Sequence, residues 1–431
     1  MGYPKLFFDN RFADAVPVAQ STASGNYAAA NLADMRPYTW WKPASFSNYD
    51  QSHAVSVNCG ASKAADYALI YGHDLFTNQC QIAFDKSTDN FVSNIVTVAL
   101  VTPTSDAPFM ASFANVSAPY WRFVLLRINQ LSYANEFDNA YWVKASVTIT
   151  PNTATATDGT TTSDTATDAD TGNCGSIYRS VTGLDMTRTW RAAIDVLKDG
   201  VGMATRFCML RLDFTGSTTQ YYGVKLDTSN GQILNGDLAQ LADVAVVDDG
   251  THWRISVAGK TTDPANTTIT VRFYPAVGSG TLSSSSNVAT TGSAGIWQMR
   301  LDVADLPSVA IAIIGAAFVM PKYLSAGFDP KGKTSIQQSN NNDNGQPLGK
   351  IIDFKQWKQT LQFANVSWSW LRTFWDAVWE SNLSGSPFVF AWDSVNYPAE
   401  LYLVAAGDNY STPHQQGGLA TLSFDVMGVA K

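Results

Sequence analysis

The sequence predicts a mainly β protein built from antiparallel sandwiches, and three observations carry that expectation. Short apolar or alternating runs are separated by Gly, Asn, Asp and Pro; Thr, Ser, Asn and Gly are abundant, with aromatic residues at 12%; and a helical repeat of apolar residues is confined to one stretch near the C-terminus. Strand-length runs at close spacing read as sandwiches or jelly rolls rather than as alternating βαβ units. The chain has 431 residues, enough for two or three domains.

In chain order the first strands are HAVSVNCG, DYALIYGHD, CQIAFDKSTDNF, NIVTVALV, PFMASFA and YWRFVLLRIN. Before them, YTWWKPASF at 38–46 sets two tryptophans side by side. Neighbouring side chains of a strand point to opposite faces, so one ring is expected inside and the other outside.

The order Asp34, Pro37, Thr39, Trp40, then VSVNCG, ADYALIYGHDL, STDNF and APYWRFVLLRI resembles the galactose-binding, discoidin-like jelly roll. The resemblance implies that Trp40 fills the core, which leaves Trp41 outward beside Thr39. It also implies one more apolar strand soon after Tyr120–Ile128. Here that strand is delayed until LPSVAIAIIGAAFVMP, so the intervening stretch is expected to be a domain spliced between adjacent strand ends. The apolar run at 309–320 is too short to span a bilayer and suits a strand buried on both faces.

The inserted stretch opens with TITPNTATATDGTTTSDTATDADTGNCG, read as loops and edge strands, and continues with TWRAAIDVLK, FCMLRLDF, YYGVKLDTSNGQIL, ADVAVVDDGTHWRISVAG and TTITVRFYPAV. NG and DDG mark turns between them. The sequence of DGTTTSD, TSNGQI, GTHWRISV and GIWQMRLD is similar to the carbohydrate-binding-type sandwich common in bacteriophage tail proteins, with Asp158 and Gly159 in place, Ser163 where Ala is usual, and an extra residue ahead of Trp253.

After Leu324 a polar segment rich in Gly, Asn and Pro is expected to act as a linker or arm. KIIDFKQWKQTLQFANV then supplies strands, and SWSWLRTFWDAVWESNLSG a helix whose apolar face holds Trp368, Leu371, Phe374, Trp375, Val378 and Trp379. PFVFAWD, ELYLVAAG and LATLSFDVMGV complete a sheet. A sheet with one flanking helix resembles the ring-forming domains of phage distal-tail and tail-tube proteins. The expected architecture is therefore a galactose-binding-like jelly roll at 1–131 and 303–325, an inserted carbohydrate-binding-type sandwich at 132–302, and a tail-ring assembly domain at 326–431.

Several function classes are disfavoured. A net charge of −8 with 15% charged residues and no basic run argues against a nucleic-acid partner. Four widely spaced cysteines and four scattered histidines give no metal-ligand spacing, and no cofactor or metal is expected. The start lacks a basic n-region and an apolar h-region, so no export signal or membrane insertion is expected. There is no G-x-S-x-G, H-E-x-x-H or P-loop. Glycosidase chemistry needs two acids about 5 to 9.5 Å apart, and the nearest candidates, Asp248 with Asp249 and Asp85 with Asp89, fall in turns that favour Asp for backbone bonding.

The expectation is a non-enzymatic structural protein of a siphophage tail tip or baseplate, made in the host cytoplasm and residing in the virion. The alternatives are a polysaccharide-degrading tail protein or a host lectin or adhesin. Its partners would be further copies of itself in a trimeric or hexameric ring, other tail proteins (tube, hub, fibres) and host-surface polysaccharide. Exposed rings anchor sugars, which makes Trp41, Tyr221 and Tyr222 the glycan-binding candidates; Trp253 and Trp297 are expected in the core. The tryptophan-rich C-terminal segment makes Trp370, Trp375 and Trp379 the assembly-interface candidates.

Overall fold

The computed structural model describes residues 2–44, 52–199, 207–234, 243–278, 288–330, 332, 334–341 and 347–429. It is mainly β, with four antiparallel sheets and one long helix among those residues. Two compact units emerge: residues 1–126 together with 306–431, and the continuous stretch 127–305.

In the first unit the jelly roll is built on two long strands, Ser52–His73 and Phe109–Arg127, each joining two of the runs read separately in the sequence. They pair with each other throughout, with register shifts between Asn58 and Lys63 and between Ala65 and Tyr67. Extra unpaired residues bend a strand, and both halves of Ser52–His73 line one core: Val55 and Val57 from the first, Ala68 and Ile70 from the second, around Trp121 and Phe123. The delayed strand, Val309–Gly315, lies beside Ser52–His73, with register Val309 to His73 and Gly315 to Tyr67. The resemblance implies that it neighbours the Tyr120 strand; Ser52–His73 instead runs between the two.

Every residue of Val309–Gly315 is buried. Val309, Ala312 and Ile314 enter the jelly-roll core, while Ala310, Ile311 and Ile313, with Tyr67, Leu69 and Tyr71, meet Phe7, Val389, Ala391 and Leu401. Burying one such Ile contributes about 1.5–3 kcal/mol, so a strand apolar on both faces ties the jelly roll to the C-terminal sheet. That second core is why 326–431 does not separate as a domain of its own. The C-terminal sheet also recruits the Lys5–Phe7 strand, which runs between Phe318–Val319 and Pro387–Ala391.

That sheet continues through Leu401–Ser411, Leu419–Val429 and Pro347–Ser367 to Thr334–Asn341. Part of the polar segment expected as an arm is thus the outermost strand, paired to Pro347–Ser367; its centre, 342–346, lies outside the described residues. The helix runs from Trp368 to Leu383 and alternates α turns with wider π turns. It buries Leu371, Trp375, Trp379 and Leu383. In a pure α-helix each four-residue step drifts about 40° round the axis; turns holding more residues cancel the drift and keep these four in line. Phe374, expected on the apolar face, is exposed.

The second unit is a sandwich of two six-stranded sheets. One runs Gln232–Leu234, Gln220–Asp227, Phe207–Thr215, Thr268–Val277, Ser176–Thr182, Val143–Ala145; the other Asp243–Asp249, His252–Gly259, Trp190–Leu197, Gly292–Val303, Ser163–Asp168, Val147–Ala154. Leu210, Leu212, Phe214, Val271 and Phe273 from the first meet Ile194, Val196, Ile255, Val257 and Leu301 from the second. The beginning and end of the unit are stitched together. Asp302, fully buried, accepts from Arg127 Nη1 at 3.2 Å, Arg191 Nη2 at 2.7 Å and Arg300 Nε at 3.4 Å, and Arg300 Nη2 reaches back to the Arg127 carbonyl at 3.0 Å.

Candidate functional site

The three sequence-derived glycan candidates have different fates. Trp41 is fully buried, its ring against Phe123 and His53. The Trp41 backbone N–H donates to the Val309 carbonyl at 2.8 Å and the Trp41 carbonyl accepts from the Val309 N–H at 3.0 Å. The inside–outside assignment of the tryptophan pair is therefore corrected: Trp41 fills the jelly-roll core, and half-buried Trp40 packs on the opposite face, against the cluster of Tyr67, Leu69 and Tyr71. Trp41 is therefore closed to a sugar, while Trp40 keeps part of its surface exposed.

Tyr221 and Tyr222 are successive residues of one strand and part company. Tyr222 packs on the sandwich core, edge-on to Phe214, and its hydroxyl donates to the Lys260 carbonyl at 2.5 Å. A Cβ at Gly259 would clash with Tyr222 Cδ2, so the ring packs directly on that backbone. Tyr222 is a structural residue. Tyr221 stands on the other face of its sheet.

That face is where polar and aromatic side chains converge. Alternation along Phe207–Thr215 sends Cys208, Leu210, Leu212 and Phe214 into the core and Met209, Arg211 and Asp213 away from it. The neighbouring strands follow suit, with Ile269, Val271 and Phe273 inward and Thr270, Arg272 and Tyr274 outward. Register places Arg211 opposite Arg272, Arg272 opposite Tyr178, and Asp213 opposite Tyr221. The result is a cross-strand row of rings and guanidiniums. The Arg272 guanidinium carbon lies 4.0 Å from the Tyr178 ring centre and 6.0 Å from that of Tyr274; the Arg211 guanidinium lies 5.4 Å from Tyr274 and 5.8 Å from Tyr221. Cation–π contacts of this kind hold the arginines extended over the rings.

Asp213 sits between the two arginines. It accepts from Arg211 Nη2 at 2.9 Å, and Arg272 Nε is 3.7 Å away. Burial works against the Arg211 charge, but the Asp213 carboxylate outweighs it and holds the guanidinium pKa above its ordinary value. Burial raises the Tyr274 phenol. One end of the row is closed by Phe207, Met209, Tyr274 and Val277, next to which Lys225, fully buried, donates to the Gly278 carbonyl at 3.2 Å; burial lowers its pKa. An Arg and an Asp alternating with apolar residues inside FCMLRLDF is the sequence signal for this face.

The remaining candidates are structural. Trp375 and Trp379 are buried in their own sheet's core, ring centres 5.1 and 5.4 Å from that of Phe424, which corrects their assignment to an assembly interface. Trp370 is half-buried against Phe318. Trp297 is in the core, whereas Trp253 is half-buried over the Asn230-Gly231 turn, its Nε1 donating to the Thr228 carbonyl at 2.9 Å. Asp85 accepts from Arg122 Nε at 2.8 Å and Thr97 Oγ1 at 2.7 Å. Asp89 closes a loop through Ser87, Ser93 and Asn94, and the Ser93 and Ser87 hydroxyls hold its carboxyl below the usual range. Asp248 pairs with Lys198. No group of three or more His, Cys, Asp or Glu side chains among the described residues is arranged to hold a metal ion, and no described helix is long and apolar enough to cross a membrane.

No family model and no curated protein matches the chain. Among solved structures it is similar to a chitosan-binding module from a chitosanase/glucanase of Paenibacillus sp. IK-5, at 18% identity over 28% of this chain and 86% of that one, TM-score 0.24. A carbohydrate-binding module of Clostridium perfringens in complex with GalNAc-β-1,3-galactose matches at 16% identity over 27% of this chain and 88% of that one, TM-score 0.23. The enzymatically active domain of tailspike protein 4 of bacteriophage CBA120 matches at 11% identity over 41% of this chain and 21% of that one, TM-score 0.28.

Proposed function

We propose that the chain is a non-enzymatic structural protein of a phage tail tip that presents its sandwich unit to host-surface glycan. The observation that carries the glycan part is the row of Tyr178, Arg272, Arg211, Asp213 and Tyr221 on the sheet face opposite the core. Rings offer a stacking surface and guanidiniums offer donors in fixed geometry for sugar hydroxyls. The non-enzymatic part is supported by the state of the buried acids among the described residues. Asp85, Asp195, Asp213 and Asp302 are paired with arginines, while Asp164, Asp168 and Asp393 accept backbone N–H groups. Carboxylates paired with arginines in this way are poor proton donors or nucleophiles; Asp164, whose carboxyl burial pushes upward, is fixed by the Phe137 and Asn152 N–H groups.

The test is calorimetry of the full chain against a panel of bacterial surface polysaccharides. Tyr221→Ala removes a half-buried ring outside the core, so the expected result is lost binding with an unchanged melting temperature. Absence of heat with every polysaccharide for the unsubstituted chain would overturn the glycan reading.

The tail-tip setting rests on the sequence resemblances, and with it the reading that the chain forms a homo-oligomeric ring. The C-terminal sheet ends on the Thr334–Asn341 strand, and the helix exposes Phe374 and part of Trp370. An outermost strand and apolar side chains together suit contact with another copy. Light scattering at tens of micromolar should give an oligomer that Trp370→Asp dissociates; a monomer for the unsubstituted chain would refute the ring.

A further inference from the structure

We infer that the sandwich face selects acidic saccharides, those bearing a carboxylate or a phosphate, over neutral ones; the inference rests on the glycan reading above and narrows its substrate class. The charge balance of the face points there. Arg211, Arg272 and Lys225 share it with two described carboxylates, Asp213 between the arginines and Asp227 at the strand end, which its own turn holds through Ser229 and Asn230, in a chain whose net charge is −8. Arg211 is only 8% exposed and Asp213 6%, so bulk water does little to screen the imbalance.

Hydrogen bonding leads to the same place. Asp213 takes one bond from Arg211 Nη2, and Arg211 Nε stands 2.6 Å from Asp213 Oδ1 without hydrogen-bond geometry. Arg211 Nη1 and Arg272 Nε have no hydrogen-bond partner at all. Arg272 Nη1 donates to Ser176 Oγ at 3.0 Å, which anchors its guanidinium over Tyr178. Arg211 Nη1 and Arg272 Nε are sealed from solvent, so the donors that an anionic oxygen meets are those on the Arg272 side chain, which stays 22% exposed, and there the oxygen offsets the excess charge. Guanidiniums suit carboxylate and phosphate oxygens because their donors are planar and forked. Tyr178 and Tyr221 flank the pair on either side along the row, where a sugar ring can lie while its acidic group reaches the arginines.

The experiment uses the full chain and three probes: a uronic-acid oligosaccharide, the same oligosaccharide with its carboxyl groups reduced to alcohols, and a glycerol-phosphate polymer carrying sugar substituents. One extra charge-assisted hydrogen bond predicts that at least one acidic probe binds about tenfold or more tighter than the reduced one. The preference should weaken as salt rises. Which acidic probe wins distinguishes carboxylate from phosphate. Arg272→Gln should cut the acidic-to-neutral ratio, with circular dichroism and melting temperature confirming the fold; Arg211→Lys, which keeps the charge facing Asp213, is the second variant and should cut it less. Equal affinity for acidic and reduced probes, with Tyr221→Ala weakening both, would overturn the acidic preference and leave the glycan reading standing. Binding of none of the three together with silence across the polysaccharide panel would overturn both.

Discussion

Asp302 is the most exposed point of failure in the sandwich unit, although it is fully buried. Three guanidiniums, from Arg127, Arg191 and Arg300, share its two carboxylate oxygens, and Arg127 further donates to the carbonyls of Val303 and Ala304. Arg127 opens the unit and Asp302 nearly ends it, so this cluster fastens the two places where the chain enters and leaves. Removing one partner from a buried ion pair costs about 3–5 kcal/mol, because the other charge stays buried without compensation. Here Asp302→Ala removes the carboxylate that three guanidiniums share, two of them on side chains at most 11% exposed, so the upper half of that range applies. Against a typical domain stability of about 5–15 kcal/mol, this is about a quarter or more of the total. At roughly 2–4 °C per kcal/mol for a unit of this size, calorimetry of the full chain should show one transition falling by at least ~8 °C.

The pH dependence has a definite sign. Burial pulls the Asp302 carboxyl upward, but Arg191, Arg127 and Arg300 together bring it below its ordinary value of 3.8. A depressed folded-state pKa means the stabilisation is present above 3.8 and is lost as pH falls below it toward the folded value. The same transition should therefore weaken on acidification below about pH 4, and Asp302→Asn should flatten that part of the profile. A drop of less than about 1 kcal/mol for Asp302→Ala, with an unchanged acid profile, would mean that the arginines are solvated and the cluster fastens nothing.

Two further substitutions test the packing. Trp41→Ala should cost about 3–5 kcal/mol in urea unfolding, the range for deleting a buried aromatic, while leaving glycan affinity intact. Gly231→Ala combines a left-handed backbone (φ 76°) with a Cβ 2.6 Å from Trp253 Cη2, and should cost about 1–3 kcal/mol; a neutral result would show that the turn can move away from the indole.

How much of this was legible in the sequence depends on whether a residue's fate is set locally. The NG turn and the G-T-H-W strand were both readable as motifs, and the structure supplies their link: Trp253 lies on Gly231, so the glycine of one motif makes room for the tryptophan of the other. The run VAIAIIG was readable as buried on both faces because every position is apolar. The helix was readable from its tryptophans, yet its exposed edge was not, since π turns move Phe374 off the face that α periodicity assigns to it.

The two tryptophans at 40 and 41 show where local reading stops. Alternation correctly sends them to opposite sides of the chain, but it says nothing about what waits on either side. Trp41 was expected outward because the resembled jelly roll puts Trp40 in its core. The Lys5–Phe7 strand and the C-terminal sheet pack on the Trp40 side, and they come from the two ends of the sequence. The reverse error hid the arginine row: in FCMLRLDF the charged residues look like the solvated side of a strand, and only the register of four strands brings Arg211, Arg272, Asp213 and three tyrosines to one place. Burial and convergence are long-range properties, so a site made of ordinary alternating strands becomes visible only when its neighbours are known.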